Sequence, residues 1–252
     1  MKKLILSALV IGGAISANAV VLFDSGGFET YTNGALSGQN GWFIDGTANY
    51  QVQSTVAVGT KAVGVAGGAG TSWAFPDITY TPSSGELVKI NASIARSAGT
   101  SFGYSIDVYN TATLRTTRFG LTMSGGAIRP YVTARFNTTT QQFDAAASAV
   151  NVLVGPAVAA NTFVDFEAVL NYTTKRLDLK VNGVSVTGAA TIPFADLTAT
   201  NIADADFQVS TATGATDSGY LDNYRVEVVP EPASMTALAL GVVALARKRR
   251  KA

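Results

Sequence analysis

Apolar side chains recur at every second position over several stretches of this chain, and no long window carries the 3.6-residue period of a surface helix. Val88, Ile90, Ala92 and Ile94 alternate with Lys89, Asn91 and Ser93. Phe102, Tyr104, Ile106 and Val108 alternate with Gly103, Ser105 and Asp107. Val164, Phe166, Ala168, Leu170 and Tyr172 alternate with Asp165, Glu167, Val169 and Asn171, and Leu177, Leu179 and Val181 with Arg176, Asp178 and Lys180. Each stretch predicts a strand with one buried and one solvated face. Turn signals separate them: Ser97 to Thr100, Tyr172 to Lys175, and Asn182-Gly183, a pair whose tolerance of positive φ suits a tight hairpin. Roughly a dozen strands at such spacing predict an all-β chain, an antiparallel jelly-roll β-sandwich. Residues 196–206 lack the pattern and are expected to form a loop or a single helical turn.

The two ends read differently. Lys2 and Lys3 precede an apolar run from Leu4 to Ile15, and Ala17-Asn18-Ala19 follows as a small-x-small tripeptide. Basic start, short apolar centre and cleavage tripeptide together predict a signal peptide over residues 1–19, cut by signal peptidase; a buried strand or a membrane anchor are the alternatives. At the other end Val229-Pro230-Glu231-Pro232 precedes an apolar run from Ala233 to Ala246, then Arg247, Lys248, Arg249, Arg250 and Lys251. Two prolines around one residue stop a strand or a helix, so the folded domain is expected over residues 20–228. The second run makes a helix of about 21 Å, short of a hydrocarbon core of about 30 Å. The basic cluster favours the cytoplasmic side, which puts the domain outside the inner membrane.

This order over residues 229–252 resembles the PEP-CTERM sorting signal of Gram-negative bacteria; a simple tail anchor and a terminal core helix are the competing readings. The resemblance implies removal by exosortase, a transient anchor in the precursor, and delivery to the cell surface or an exopolysaccharide matrix. Two of the 18 basic residues lie in the leader and five in the tail, while one of the 17 acidic residues lies in the tail, which leaves residues 20–228 at net −5. A basic patch for nucleic acid is therefore not expected.

Phe28-Glu29-Thr30-Tyr31, Gly34, Leu36, Gly38-Gln39 and Gly41-Trp42 resemble the opening of concanavalin A-like sandwiches. Residues 163–186, centred on Val181-Asn182-Gly183, are similar to a strand-turn-strand unit of laminin-G and lectin-like sandwiches, and Tyr220 to Val226 to their last strand. That resemblance implies a fold that carries lectins, glycan hydrolases and adhesion modules alike.

The chain has no cysteine and no histidine. Disulfides, thiolate nucleophiles, the Ser-His-Asp triad and most catalytic zinc sites are thereby excluded. Gly99-Thr100-Ser101-Phe102-Gly103 matches G-x-S-x-G, but a strand follows where a nucleophile elbow needs a helix. The remaining acid–base possibility is Asp165 with Glu167, at alternate positions of one strand as in concanavalin A-like glycan hydrolases. Its alternative is a solvated face paired with Arg176 and Lys180 across the hairpin. Asp222 shares parity with Tyr224, Val226 and Val228 and should face inward, where a carboxylate needs partners. A strand bulge or hydrogen-bonded turn is one answer, and a structural calcium ligated with Asn223 and Asp24 is the other; no other cofactor is expected. Trp42, Trp73, Tyr50, Tyr80, Tyr109 and Tyr131 are the rings available as glycan platforms, with Tyr109 and Trp73 taken forward. Three functions compete: a non-catalytic surface or matrix protein, a carbohydrate-binding module, and a glycan-cleaving enzyme using Asp165 and Glu167.

Overall fold

The computed structural model describes residues 19–67, 70–99, 103–187, 192–210 and 216–230. The leader, including Ala17, and Glu231, Pro232 and the basic cluster of the tail lie outside the described residues, as do Thr100, Ser101 and Phe102. In chain order the strands are β1 (Val20–Asp24), β2 (Gly34–Ala35), β3 (Trp42–Asp45), β4 (Tyr50–Gln53), β5 (Ala62–Ala66) and β6 (Thr71–Pro76). There follow β7 (Glu86–Arg96), β8 (Gly103–Tyr109), β9 (Arg115–Ser124), β10 (Ala127–Asn137), β11 (Gln142–Phe143) and β12 (Ala149–Leu153). The last six are β13 (Val164–Asn171), β14 (Arg176–Val181), β15 (Val184–Ser185), β16 (Ile192–Pro193), β17 (Asp204–Ser210) and β18 (Ser218–Pro230). A single 3-10 turn, Gly26–Phe28, is the one helical element among the described residues.

All pairings are antiparallel. One sheet of 10 strands runs β15-β14-β13-β7-β18-β5-β4-β2, with β1 added beside β18 and β16 beside β14. The other, of 8 strands, runs β11-β10-β9-β8-β17-β6-β3, with β12 beside β10. The inward sets meet between the sheets: Ile90, Phe166, Leu179 and Val226 of the first, Ile106, Phe119 and Phe207 of the second. Phe119 and Phe166 touch across the gap with ring centroids 5.7 Å apart. Each such side chain taken from water contributes about 1.5–3 kcal/mol before entropy is counted, which explains why the period-two sets hold these strands in register.

Three expectations need correction. Residues 204–210 form β17, a central strand, because Ala205, Phe207 and Val209 all reach the core. The outward face of β8 is not solvated, since Ser105 and Asp107 are buried. The parity of β18 also breaks. Asp222 pairs with Ser93 and Arg225 with Asn91, so one extra residue is accommodated between them. Asn223 takes a φ of 49° at this bulge. Leu221 and Tyr224 both reach the core as a result, while Asp222, also buried, turns to main-chain N–H partners.

Candidate ligand-binding site

The sequence-predicted acids Asp165 and Glu167 lie on the outer face of the 10-stranded sheet. They border a depression of about 390 Å³ together with Asn91, Ser93, Lys180, Gly183 and Asn223. Their roles differ. Glu167 meets Lys180 at 2.7 Å and Lys89 at 2.8 Å. Those two hydrogen-bonded ammonium groups hold its carboxyl below the usual range, which suits a permanent anion and not a proton donor. The second cation comes from β7; Arg176, the other expected partner, stands opposite Asn171. Asp165 accepts a hydrogen bond from Ser93 Oγ at 2.6 Å, and Ser93 in turn receives one from Asn223 Nδ2 at 3.2 Å.

At the bulge, Asp222 is a main-chain anchor. Its Oδ2 accepts the N–H of Val58 at 2.8 Å and its Oδ1 that of Asn223 at 2.7 Å. Burial pushes its carboxyl up despite those bonds. Asp24 accepts the N–H of Gly26 at 2.8 Å and pairs with Arg225 at 2.6 Å. Among the described residues no group of three His, Cys, Asp or Glu is arranged around a metal position.

A second site forms on the outer face of the 8-stranded sheet. Alternation along β17 points Asp204, Asp206 and Gln208 outward. Register places Asp206 opposite Asp107 of β8 and Asp204 opposite Tyr109. On the other side Gln208 faces Trp73 of β6, which in turn faces Asp45 of β3. Phe43 and Phe75 extend this row as an aromatic pair with centroids 6.1 Å apart. Asp45, Trp73, Phe75, Tyr109, Asp204 and Asp206 border a cavity of about 340 Å³, with Asn110, Thr111, Thr113 and Ala203 along the rim. Trp73 and Tyr109, singled out from the sequence as platforms, thus share one depression. Trp42 and Tyr50 are core residues; Tyr131 is buried, and the Tyr80 hydroxyl donates to Glu86 at 2.9 Å.

The charge balance here is uneven. Asp107 has no exposed surface and is grasped by the Arg118 guanidinium through both carboxylate oxygens, with Arg115 at 3.6 Å. Burial works against the Arg118 charge, and the Asp107 carboxylate overrides it, holding the guanidinium above its ordinary value. Ser105 Oγ donates to Asp107 at 2.9 Å, and the Tyr109 hydroxyl at 3.3 Å. Burial, then the Asp107 charge, pushes Tyr109 up to about 12. Among the described residues no cation pairs with Asp204 or Asp206. Burial, followed by the neighbouring Asp204 charge, pushes Asp206 up to about 9. Asp204 is also raised, by burial first. Oδ1 of both aspartates and Nε1 of Trp73 are buried without a hydrogen-bond partner among the described residues. Sequence reading passed over Asp204 and Asp206, although the signal was present: Asp-Ala-Asp-Phe-Gln-Val-Ser alternates as Asp165 to Asn171 does.

The fold is a β-sandwich of concanavalin A-like type. Among solved structures it is similar to a sialidase, at 13% identity and a TM-score of 0.51, over 77% of this chain and 17% of that one. It is also similar to a carbohydrate esterase from the Shiga toxin-encoding bacteriophage phi24B, at 13% identity and a TM-score of 0.52, over 84% of this chain and 100% of that one. The chain thus spans a small part of the sialidase, and at these identities the likeness is one of fold alone. No curated protein matches the sequence. Residues 228–251 match the PEP-CTERM protein-sorting motif, which implies an exported protein sorted by an exosortase.

Proposed function

We propose that this is an exported protein of the cell surface or exopolysaccharide matrix of a Gram-negative bacterium, which holds a glycan in the cavity between Trp73 and Asp206 without cleaving it. In this reading residues 1–19 are the leader, residues 20–228 the working domain, and residues 229–252 the sorting tag. Ala17 and Ala19 guide signal peptidase. The Pro230-Glu231-Pro232 triplet and the Arg247 to Lys251 cluster guide exosortase.

One observation carries the binding reading. Two carboxyl oxygens and an indole N–H lie buried and unpartnered around an aromatic-walled cavity. Buried polar atoms are nearly always hydrogen-bonded, and a hydroxyl-rich ligand supplies both the donors and the acceptor that are missing. The two solved structures named above belong, by name, to carbohydrate chemistry.

Carboxyl placement favours binding over cleavage. Glycoside hydrolysis commonly uses two carboxyl groups about 5–5.5 Å or about 6.5–9.5 Å apart. Asp204 and Asp206 stand two residues apart on one face of β17, each perturbing the other's carboxyl. Glu167 is a permanent anion between two lysines.

A glycan array probed with the purified full chain tests this proposal. Binding should appear, and Trp73→Ala should abolish it with the melting temperature preserved. A silent array would remove the glycan from the proposal and leave a structural or adhesive matrix role. Undiminished binding by Trp73→Ala would move the site elsewhere.

A further inference from the structure

The cavity that the preceding proposal assigns to a glycan also carries information on which glycan. We propose that it selects a saccharide bearing an ammonium group, a de-N-acetylated amino sugar, whose nitrogen sits against Asp204 and Asp206 and whose ring face lies on Trp73.

The argument begins with what lines the cavity. Asp45, Asp204 and Asp206 face it, and no lysine or arginine does. Arg118 and Arg115 of β9 are engaged with Asp107, Arg118 through a two-pronged pair and Arg115 from 3.6 Å. The electrostatic demand of the lining is thus unanswered from within the described residues.

Donor and acceptor chemistry narrows the choice. Asp206 is 6% exposed, and its Oδ1 lacks a donor, as does that of Asp204. An ammonium group brings three donors and no acceptor. It therefore fits two adjacent carboxyl oxygens better than a hydroxyl, which brings one donor and lone pairs that would face those oxygens. A sugar hydroxyl next to the nitrogen can accept the Trp73 Nε1–H. The rings of Trp73, Phe75 and Tyr109 complete the fit, because a cation near an aromatic face is stabilised by the ring quadrupole. A uronate would instead place a further carboxylate beside these three, at a cost in repulsion.

Calorimetric titration of the purified full chain with three probes of equal length tests the inference: glucosamine, N-acetylglucosamine and uronate oligosaccharides. The glucosamine oligomer is expected to bind at least tenfold more tightly than either of the others. Asp206→Asn, and independently the exposed Asp45→Asn, should erase that preference, while Glu167→Gln on the opposite sheet should leave it intact. Equal or tighter binding of the N-acetylated or the uronate probe would overturn the ammonium assignment and leave the glycan reading standing. Absence of binding by all three would overturn both. Should Asp206→Asn fail to fold, Asp45→Asn with an unchanged preference would still count against the assignment.

Discussion

The guanidinium of Arg96 meets the carboxylate of Asp217 at 2.6 Å, and neither side chain has any exposed surface. The pair ties the end of β7 to the segment entering β18, and the Arg96 charge lies 5.4 Å from the centre of the Tyr104 ring. Removing one partner leaves the other buried and uncompensated. Arg96→Met or Asp217→Asn is therefore expected to destabilise the fold by about 3–5 kcal/mol. Arg96→Met combined with Asp217→Leu should cost less than the two single changes added. Urea unfolding of the three variants checks this, and a single-variant cost below about 1 kcal/mol contradicts it.

Stability should fall as pH rises from about 4 to about 9 by the contribution of Asp206. Its native carboxyl is raised to about 9, so the native state holds a proton there that the unfolded chain has already released. The stabilisation is complete below the unfolded value and is lost as pH climbs through the native one. Asp204, Asp107 and Asp45 all push in this direction; Arg118 is paired with Asp107. Asp206→Asn removes the titration, so its melting temperature should change less than that of the parent between pH 5 and pH 9. An identical slope in both proteins would show that another group controls it.

Glycine-to-alanine changes separate two kinds of constraint. A Cβ on Gly219 would lie 1.9 Å from Cδ1 of Tyr104, a core ring of the opposing sheet. Gly219→Ala should therefore cost about 1–3 kcal/mol or more through overpacking. Gly183 faces open space, and its only constraint is a φ of +76° in the β14–β15 hairpin. Gly183→Ala should cost about 1 kcal/mol. Chemical unfolding of the two variants side by side reads the difference; reversed order would mean that the sheets can slide apart at Tyr104.

Glu167→Gln should change stability at neutral pH by about 1 kcal/mol or less, because its partners are partly exposed lysines. The native carboxyl is depressed, so its contribution is present above the unfolded value and disappears as acid protonates it through the native one. Parent and variant should therefore converge in melting temperature at low pH. Reducing-sugar release from a glycan that only the parent produces would instead give Glu167 a chemical role.

The β13–β14 hairpin could be read from sequence because every determinant is local: strict alternation, a polar turn, and Asn182-Gly183 with φ of 50° and 76°. β17 hid behind the turn-rich residues before it, and its inward set begins only at Ala205. Both acid pairs look alike in one dimension. They part company through neighbours supplied by other strands, two lysines around Glu167 and an aspartate, a tryptophan and another carboxyl around Asp206. The bulge at Asp222 was foreshadowed only by Asn223, since an extra residue becomes visible only against the partner strand. Tyr109 and Trp73 could each be nominated, but their shared cavity depends on β17 lying between β8 and β6.

β18 has a bearing on when, and not only how, the protein comes together. It is the seam of its sheet: β7 runs along one edge, while β5 and β1 share the other. A polypeptide emerging amino end first would deliver those three strands with nothing to stitch them until residues 218–230 arrived. Val228, Val229 and Pro230 belong both to that seam and to the sorting motif. Closing the sheet and beginning the sorting motif consequently fall on the same stretch of chain.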